Sequence, residues 1–186
     1  GGICLFSTEA YKEEALIRLI SIASGISTKD IKEGRKLKEA VEVYSQTYSK
    51  YLFCIDDTSG PTLKRIIEVC NINHPRIVFV DYIQNVVGPG KSEYEAVTGA
   101  MEAFEQFSKE LKAPFVVASQ LHRRMNVHDD NYEPNLADLR GSGRIEEIAS
   151  GIVLMWHGGD RTMLMIAKNR SFGTLGTFSL SCIPET

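Results

Sequence analysis

Two carboxylate side chains follow short apolar runs, where they are suited to phosphate chemistry. Asp81 ends the apolar run at residues 77–80, and Glu9 follows the apolar run at residues 3–7. A carboxylate fixed at the end of a buried strand can hold a nucleotide-bound magnesium ion directly or through water. A second carboxylate can accept a proton from an attacking water. Each acid alone also has an ordinary interpretation: Asp81 as a helix cap or loop acid, and Glu9 as an acid at a helix N-terminus, which is favoured for Glu9 in isolation.

Polar and basic residues also follow two later extended runs. Gln120 ends the run at residues 115–118, where an amide can orient water or sense the terminal phosphate of a nucleotide. Lys168 and Arg170 stand on alternate residues of an extended segment, so their side chains point to the same side. A planar guanidinium and an ammonium can together clamp a phosphate. An ordinary polar or solvated strand end is the alternative in each case.

A glycine-rich segment at residues 139–144 has the composition of a site for a nucleic-acid backbone. Its glycines let N–H groups approach a phosphate, a helix N-terminus attracts anions, and Arg140 adds positive charge. A glycine-rich turn with a helix cap is the alternative. Over residues 121–144 four arginines are balanced by four acids. The predicted phosphate contact is therefore limited to residues 140–143.

The composition of the chain narrows its class. Its 186 residues are enough for one domain with a substantial core, and its net charge of −3 gives no general nucleic-acid signal. The four cysteines form no Cys-x-x-Cys pair. This usage argues against a disulfide framework or a zinc site and favours a reducing cytoplasm. The histidines lack metal-ligand spacing, and no apolar run approaches membrane-spanning length.

Hydrophobic periodicity predicts the elements that position these residues. Apolar strands alternate with helices, which predicts a mostly parallel sheet covered on both faces. The last three strands are close in sequence and should be antiparallel additions at one edge. The predicted strands are residues 3–7, 51–55, 76–81, 115–118, 152–156, 162–167 and 177–180. The predicted helices are residues 8–24, an exposed helical stretch over 27–50 broken near Gly34, a helix from residue 61 to about 70, 93–112 and 145–149.

Ligands of an open parallel sheet bind beyond the carboxyl ends of its strands. Glu9, Asp81 and Gln120 all follow such ends. The sequence therefore predicts that these three residues share one edge of the sheet, and that a polar loop over residues 121–136 follows it.

The order of these segments along the chain is more specific than any one of them. Over about its whole length the chain resembles the DnaB-type family of replicative DNA helicases. The resemblance implies a RecA-like ATPase core, a single domain over residues 1–186 that starts after the domain's N-terminal part. The segments that carry it are residues 6–9, 55–58, 78–84, 118–123, 136–146 and 166–170.

The resemblance implies roles in ATP hydrolysis for five residues. Glu9 matches the catalytic glutamate, Asp81 the magnesium-binding aspartate, and Gln120 the glutamine that couples nucleotide state to DNA. Lys168 and Arg170 match the basic pair that reaches the γ-phosphate of a neighbouring subunit. The implied cofactors are ATP and Mg²⁺.

The same resemblance implies partners. Arg140, Gly141 and Gly143 match the loop that holds the phosphates of single-stranded DNA. Members of the family work as homo-hexameric rings around one strand, in the cytoplasm of a bacterial or phage-infected cell. Primase and a helicase loader are further expected partners, and a membrane is not.

The chain departs from the family pattern in three ways. It has no Gly-x-x-x-x-Gly-Lys-Ser/Thr motif, so we expect the chain by itself to hydrolyse ATP poorly. Gly141 stands where the family often has Glu, in a form that looks like the phage primase-helicase branch. The stretch over residues 156–163 is also short, which suits a compact phage enzyme.

Two other functions stay open on the sequence. Another RecA-like ATPase, of the recombinase or circadian-clock type, would share the fold, although residues 138–143 and 168–170 argue against it. A non-catalytic binding or assembly module is favoured by the missing phosphate-loop motif.

Overall fold

The first sheet consists of four parallel strands in the order β2-β1-β3-β4. In the computed structural model these strands are β1 (Gly2–Ser7), β2 (Leu52–Asp56), β3 (Pro75–Asp81) and β4 (Phe115–Val117). The structure describes residues 2–48, 50–121, 132–139, 142–159, 161–171 and 173–180. The predicted parallel sheet is confirmed, and each strand end lies within about one residue of its predicted position.

Helices connect these strands and cover the sheet. Within the described ranges, no helix is both long and apolar enough to cross a membrane. Short 3₁₀ turns follow β3, at Ile83–Asn85, and precede the last helix, at Leu136–Asp138. The helices are α1 (Lys12–Ser24), α2 (Thr28–Lys32), α3 (Leu37–Tyr48), α4 (Leu63–Asn73), α5 (Glu93–Leu111) and α6 (Ser142–Ile148).

The main core lies between the central strands and helices α4 and α5. Phe6 on β1 and Val78 on β3 are almost completely buried, as apolar strands between helices must be. Ile66 of α4 and Val97 of α5 belong to the same cluster. The interior of the sheet is therefore apolar, and its polar side chains lie at the strand ends.

Helix α1 begins at Lys12, four residues later than the predicted start at Thr8. The backbone N–H of Thr8 donates to the Asp81 carbonyl oxygen at 2.8 Å, and the Thr8 hydroxyl donates to the same oxygen at 2.9 Å. Tyr11 is extended (φ −61°, ψ 150°) and is the N-cap. The predicted start is wrong because a long-range contact with β3 replaces the first helical turn.

The predicted break near Gly34 separates α2 from α3. Gly34 has φ +76°, a left-handed conformation that glycine adopts without steric cost. Ile20, Ile31 and Ala40, one from each of α1, α2 and α3, form a second small core. These three helices thus pack on each other through a cluster separate from the main core.

The last three strands form an antiparallel sheet in the order β5-β6-β7. These strands are β5 (Gly151–Gly158), β6 (Arg161–Asn169) and β7 (Gly176–Leu180). Their predicted antiparallel pairing is confirmed, but their predicted place at an edge of the first sheet is wrong. Among the described residues β5 pairs with β6 alone, and Ile152 and Leu154 of β5 join the main core by packing rather than by hydrogen bonding to β4.

The described cysteines are free thiols. Cys4 and Cys70 are buried and Cys54 is partly buried. Burial raises the pKa of the Cys54 thiol to about 11, so this group stays protonated at neutral pH. Cys182 lies outside the described residues, as do Arg140, Gly141 and most of the predicted polar loop.

Candidate functional site

The ends of the parallel strands align and bring two of the predicted acids to one edge. Ser7 is in register with Asp81, and Phe6 with Asp56. Glu9 lies two residues beyond β1, and Asp81 is the last residue of β3. The side chains of Glu9 and Asp81 are both exposed. We call this edge, where β1 to β4 end, the carboxyl edge.

Thr8 joins the ends of β1 and β3. Its hydroxyl donates to the Asp81 carbonyl oxygen at 2.9 Å, and accepts from the Tyr82 N–H at 3.2 Å and from Asn85 Nδ2 at 3.0 Å. Thr8 is only 7% exposed. The backbone of Asp81 is therefore held in place by a side chain that follows the neighbouring strand, β1. Thr8 has no predicted role, because nothing in its local sequence shows which distant groups its hydroxyl meets.

Gln84 joins the ends of β3 and β4 in the same way. Its Nε2 donates to Ser119 Oγ at 2.9 Å, and its Oε1 accepts from the Gln120 N–H at 3.3 Å. The backbone N–H of Ile83 also donates to the Ala118 carbonyl oxygen at 3.0 Å. Gln120 is thereby held next to β3, with its own side chain exposed. Gln84 belongs to the family-like segment at residues 78–84, but none of these contacts is predictable from that segment.

The acids of the carboxyl edge differ in their partners. Asp56 accepts from Arg65 Nε at 3.0 Å and Nη2 at 2.8 Å, and from the Thr58 N–H at 3.1 Å. Burial alone would raise the pKa of Asp56, but the hydrogen bonds from Thr58 and Arg65 outweigh burial and hold that pKa below its ordinary value. No hydrogen bond or ion pair is formed by the carboxylates of Glu9 and Asp81 within the described part of the chain.

The two unpaired carboxylates fit a hard cation of the magnesium type. In the described ranges no cluster of three or more His, Cys, Asp or Glu side chains could hold a metal. Magnesium does not require such a cluster, because it keeps several waters and binds one or two carboxylates together with substrate phosphates. The carboxylate of Asp81, on a backbone fixed by Thr8 and open to solvent, has the chemistry that such an ion needs.

Lys168 and Arg170 lie at the end of β6 in the second sheet and face α6. Lys168 Nζ donates to the Glu146 carbonyl oxygen and lies 3.5 Å from that of Glu147. Arg170 Nη2 donates to the same Glu147 oxygen. Both cationic groups therefore point to one side, as alternate residues of an extended segment should. In the described part of the chain, neither makes a hydrogen bond or ion pair with the acids of the carboxyl edge.

The glycine-rich segment is described only at its C-terminal end. Gly143 is exposed in α6, and a Cβ added there would meet no atom of the described residues within 4 Å. Arg144, the next residue, donates to Glu102 Oε1 on α5 from Nε at 3.1 Å and from Nη2 at 2.8 Å. Arg140 and Gly141 lie outside the described residues. The start of α6 is thus fixed to α5, with the open face of Gly143 left accessible.

A Gly-Lys-Ser run at residues 90–92 precedes α5, and the structure uses it as a helix cap. The Glu95 Oε2 accepts from the Lys91 N–H at 2.6 Å and from the Ser92 N–H at 3.1 Å. The Ser92 Oγ accepts from the Glu95 N–H at 3.2 Å, which completes a capping box. The N–H groups that a phosphate would need are therefore already bound to a carboxylate of the same chain.

Comparison with known families gives one result over the whole chain. The family described as "DnaB-like helicase C terminal domain" matches residues 1–186. Among curated relatives, the replicative DNA helicase DnaB of Rickettsia bellii is 31% identical over 169 residues, covering 83% of this chain and 33% of that protein. The DnaB of Treponema pallidum is 31% identical over 188 residues, covering 94% of this chain and 41% of that protein.

Solved structures agree with the architecture. A DnaB-like replicative helicase, described with its interactions with primase, superimposes with a TM-score of 0.80 at 25% identity, covering 98% of this chain and 48% of that one. A second structure, described as an ATPase domain, gives a TM-score of 0.79 at 27% identity, covering 98% of this chain and 72% of that one. The fold is RecA-like, and the chain spans about a third to two fifths of the curated relatives it matches.

Proposed function

Because the chain belongs to the DnaB-like helicase C-terminal domain family, we propose that it is the ATP-hydrolysing core of a replicative DNA helicase. The observation that carries this proposal is the pair of exposed, unpaired carboxylates of Glu9 and Asp81 at the aligned ends of β1 and β3. Both are acceptors with exposed side chains, and the contacts of Thr8, the residue before Glu9, hold the backbone of Asp81. This is the arrangement that phosphoryl transfer to water requires.

Within the subunit, Asp81 would hold the Mg²⁺ that accompanies ATP, and Glu9 would accept a proton from the attacking water. When bound, the metal neutralises charge on the phosphates of the nucleotide. Gln120 couples the presence of the terminal phosphate to the position of the residues that follow β4. The contacts of Thr8 and Gln84 support these roles, since they hold the ends of β1, β3 and β4 in one fixed arrangement.

Lys168 and Arg170 act in trans in this proposal. They lie at the second sheet and, among the described residues, make no hydrogen bond or ion pair with Glu9 or Asp81. A basic pair that serves the γ-phosphate of a neighbouring subunit needs such a separation from its own acids. The implied assembly is a homo-hexameric ring, with ATP hydrolysed at the junctions between subunits.

Single-stranded DNA is the proposed substrate, and the ring encircles it. Arg140, Gly141 and Gly143 bind its backbone phosphates, which gives affinity without sequence preference. The open surface at Gly143 supports this role, because a backbone can approach there. Primase and a helicase loader are the proposed protein partners.

The test uses a ring-forming protein that carries this chain and compares two inactive variants. Glu9→Gln removes the proton acceptor, and Arg170→Ala removes the cation supplied to the neighbour. In mixed rings an Arg170→Ala subunit keeps its own Glu9 and receives Arg170 from a Glu9→Gln neighbour. We expect ATPase activity to return and to peak at intermediate mixing ratios, since an arginine supplied by a neighbour is worth about 10³–10⁵ in rate.

The control replaces Arg76, an exposed arginine at the opposite end of β3, by alanine. Rings of Arg76→Ala subunits should keep their activity. If no mixture of the two inactive variants exceeds its parents while subunit exchange is verified, the trans role of Arg170 is wrong. If Glu9→Gln rings keep near-normal turnover, the catalytic role of Glu9 is wrong.

A further inference from the structure

Glu9 lies on a short turn, residues 9–11, that joins the end of β1 to the start of α1. Immediately before this turn, Thr8 bonds to the end of β3. At the start of the turn, Ser7 Oγ donates to the Ala10 carbonyl oxygen at 2.8 Å. The position of the Glu9 backbone therefore depends on how each end of this turn is held.

The first turn of α1 lacks a capping side chain from its own segment. The first four N–H groups of an α-helix have no partner within the helix. A serine, threonine, aspartate or asparagine at the N-cap usually supplies an acceptor for them. The N-cap of α1 is Tyr11, and within the described part of the chain its side chain makes no capping hydrogen bond. An acceptor for these groups has to come from another segment or from water.

Asp57, the residue directly after β2, supplies such an acceptor. The Lys12 N–H donates to Asp57 Oδ2 at 3.1 Å, a contact between residues that are 45 positions apart. A carboxylate at this place also interacts favourably with the positive end of the helix dipole. The two consecutive acids at the end of β2 thus have different partners, since Asp56 accepts from Arg65 on α4.

The later turns of α1 are held independently of Asp57. Ala15 and Ile20 of this helix are buried, and Ile20 packs against Ile31 and Ala40 in the second small core. Loss of the Asp57 contact should therefore leave the helix in place and release only its first residue and the turn before it. Those are the residues that adjoin Glu9.

We propose that Asp57 is a positioning residue for Glu9. Thr8 joins one end of the turn to β3, and Asp57 joins the other end to β2. A base whose backbone is held at both ends keeps one position relative to the attacking water, and small displacements of a reacting group are costly in rate. This inference rests on the proposed function for the role of Glu9.

The first experiment measures ATP hydrolysis by a ring-forming protein that carries this chain. Asp57→Ala removes the acceptor and should lower kcat about three- to tenfold, with a change of less than about twofold in the KM for ATP. Asp57→Asn keeps an oxygen that can accept from the Lys12 N–H, and should stay within about twofold of the wild type in kcat. An equal loss in both variants, or an unchanged kcat in Asp57→Ala, overturns the proposal.

Ser27→Ala is the matched control. Ser27 Oγ accepts from the Asp30 N–H at 3.1 Å at the start of α2, so this substitution removes a capping hydrogen bond of the same length beyond the other end of α1. It should leave kcat and KM unchanged. A loss equal to that of Asp57→Ala would mean that any weakened cap in these helices lowers activity, and the positioning role would be wrong.

A double variant tests whether Asp57 acts through Glu9. Glu9→Gln removes the proposed proton acceptor and leaves only residual hydrolysis. Adding Asp57→Ala should lower this residual rate by less than about twofold, because a base that is already absent cannot be misplaced. A further loss of about three- to tenfold would give Asp57 a role independent of Glu9 and would overturn the proposal.

Hydrogen exchange in the chain itself measures the contact without any catalysis. Asp57→Ala should raise exchange of the amides at residues 9–13 about three- to tenfold, because the Lys12 N–H loses its acceptor. Ser27→Ala should leave the exchange of these amides unchanged. If exchange does not rise in Asp57→Ala, Asp57 does not hold the turn.

Two combined outcomes separate this inference from the proposed function. If Glu9→Gln keeps near-normal turnover, the proposed role of Glu9 is wrong, and this inference fails with it. If Glu9→Gln abolishes turnover and exchange rises in Asp57→Ala without a loss of kcat, the proposed role of Glu9 stands and only the positioning role of Asp57 is wrong.

Discussion

The charged side chains of the carboxyl edge differ in their contacts from those of the basic pair, Lys168 and Arg170. At the carboxyl edge, Glu9 and Asp81 make no hydrogen bond or ion pair through their carboxylates within the described residues, and the contacts that fix this edge act on the backbone through Thr8 and Gln84. At the second sheet, Lys168 and Arg170 have their cationic groups engaged with α6. The carboxylates of the carboxyl edge are thus free to bind a ligand, whereas the cations of the second sheet take part in contacts that stabilise the fold.

This difference separates function from stability in the two regions. A carboxylate with no partner contributes little to folding, so its removal should cost activity but not stability. A cation that caps a helix contributes to both. The contrast also shows that the strand ends of the carboxyl edge are joined by neutral side chains, those of Thr8 and Gln84. Measurements of stability test this contrast.

The largest effect is expected at Thr8. Thr8→Val keeps the shape of the side chain but removes its hydroxyl, which leaves the N–H of Tyr82 and the amide of Asn85 without this acceptor. We expect a loss of about 2–3 kcal/mol in the free energy of unfolding, because an unsatisfied buried polar group costs about 1–3 kcal/mol. Urea unfolding followed by circular dichroism measures this loss.

Thr98 offers the matched control for this substitution. Its hydroxyl is buried and has no hydrogen-bond partner among the described residues, so Thr98→Val makes the same chemical change without breaking a bond. It should leave stability unchanged or raise it. If both variants lose the same free energy, the contacts of Thr8 do not fix the carboxyl edge.

An intermediate loss of stability should distinguish the cations of the basic pair from the carboxylates of the carboxyl edge. Lys168→Met/Arg170→Met removes the hydrogen bonds that cap the C-terminal end of α6 and should cost about 1–2 kcal/mol. Glu9→Gln/Asp81→Asn also removes two charges, but breaks no hydrogen bond or ion pair of either carboxylate in the described part of the chain, and should stay within about 0.5 kcal/mol of the wild type. Chemical unfolding of both double variants gives the comparison, and equal losses would contradict it.

A smaller loss than that of the basic pair is expected at Asp56, the paired acid of the carboxyl edge. Its pKa in the folded state lies below the ordinary value, so its contribution to stability is present above the pKa of the unfolded chain, about 4, and is lost as pH falls through the folded pKa. Asp56→Asn should therefore cost about 1 kcal/mol or less at neutral pH, and the difference from the wild type should shrink in acid.

Arg65→Met checks the cause of that pH dependence. Removing the guanidinium takes away the partner of Asp56 without touching the carboxylate. Unfolding measured in acid and at neutral pH should show a weaker acid dependence in both variants than in the wild type, on the order of the same 1 kcal/mol. A pH dependence that is unchanged in Arg65→Met would mean that the ion pair does not stabilise the charged form.

The strands of the parallel sheet are predictable because their signal is local. A continuous apolar run such as residues 77–80 has few alternatives to a buried strand, and a polar residue at its end marks where the core stops. The start of α1 is not predictable, because Thr8 forms its hydrogen bonds with Asp81 and Asn85, which are 73 and 77 residues away in sequence. No local preference at Thr8 contains that information.

The alternation of strands and helices, the polar residues at the strand ends and the family to which their order belongs can all be read from the sequence. The contacts that hold these residues cannot: Thr8 bonds to β3, Glu95 accepts from the N–H groups of the Gly-Lys-Ser run, and Lys168 donates to a carbonyl of α6. The reason is physical. Apolar periodicity is written along the chain, whereas the partner of a polar side chain depends on which distant segments the core brings together.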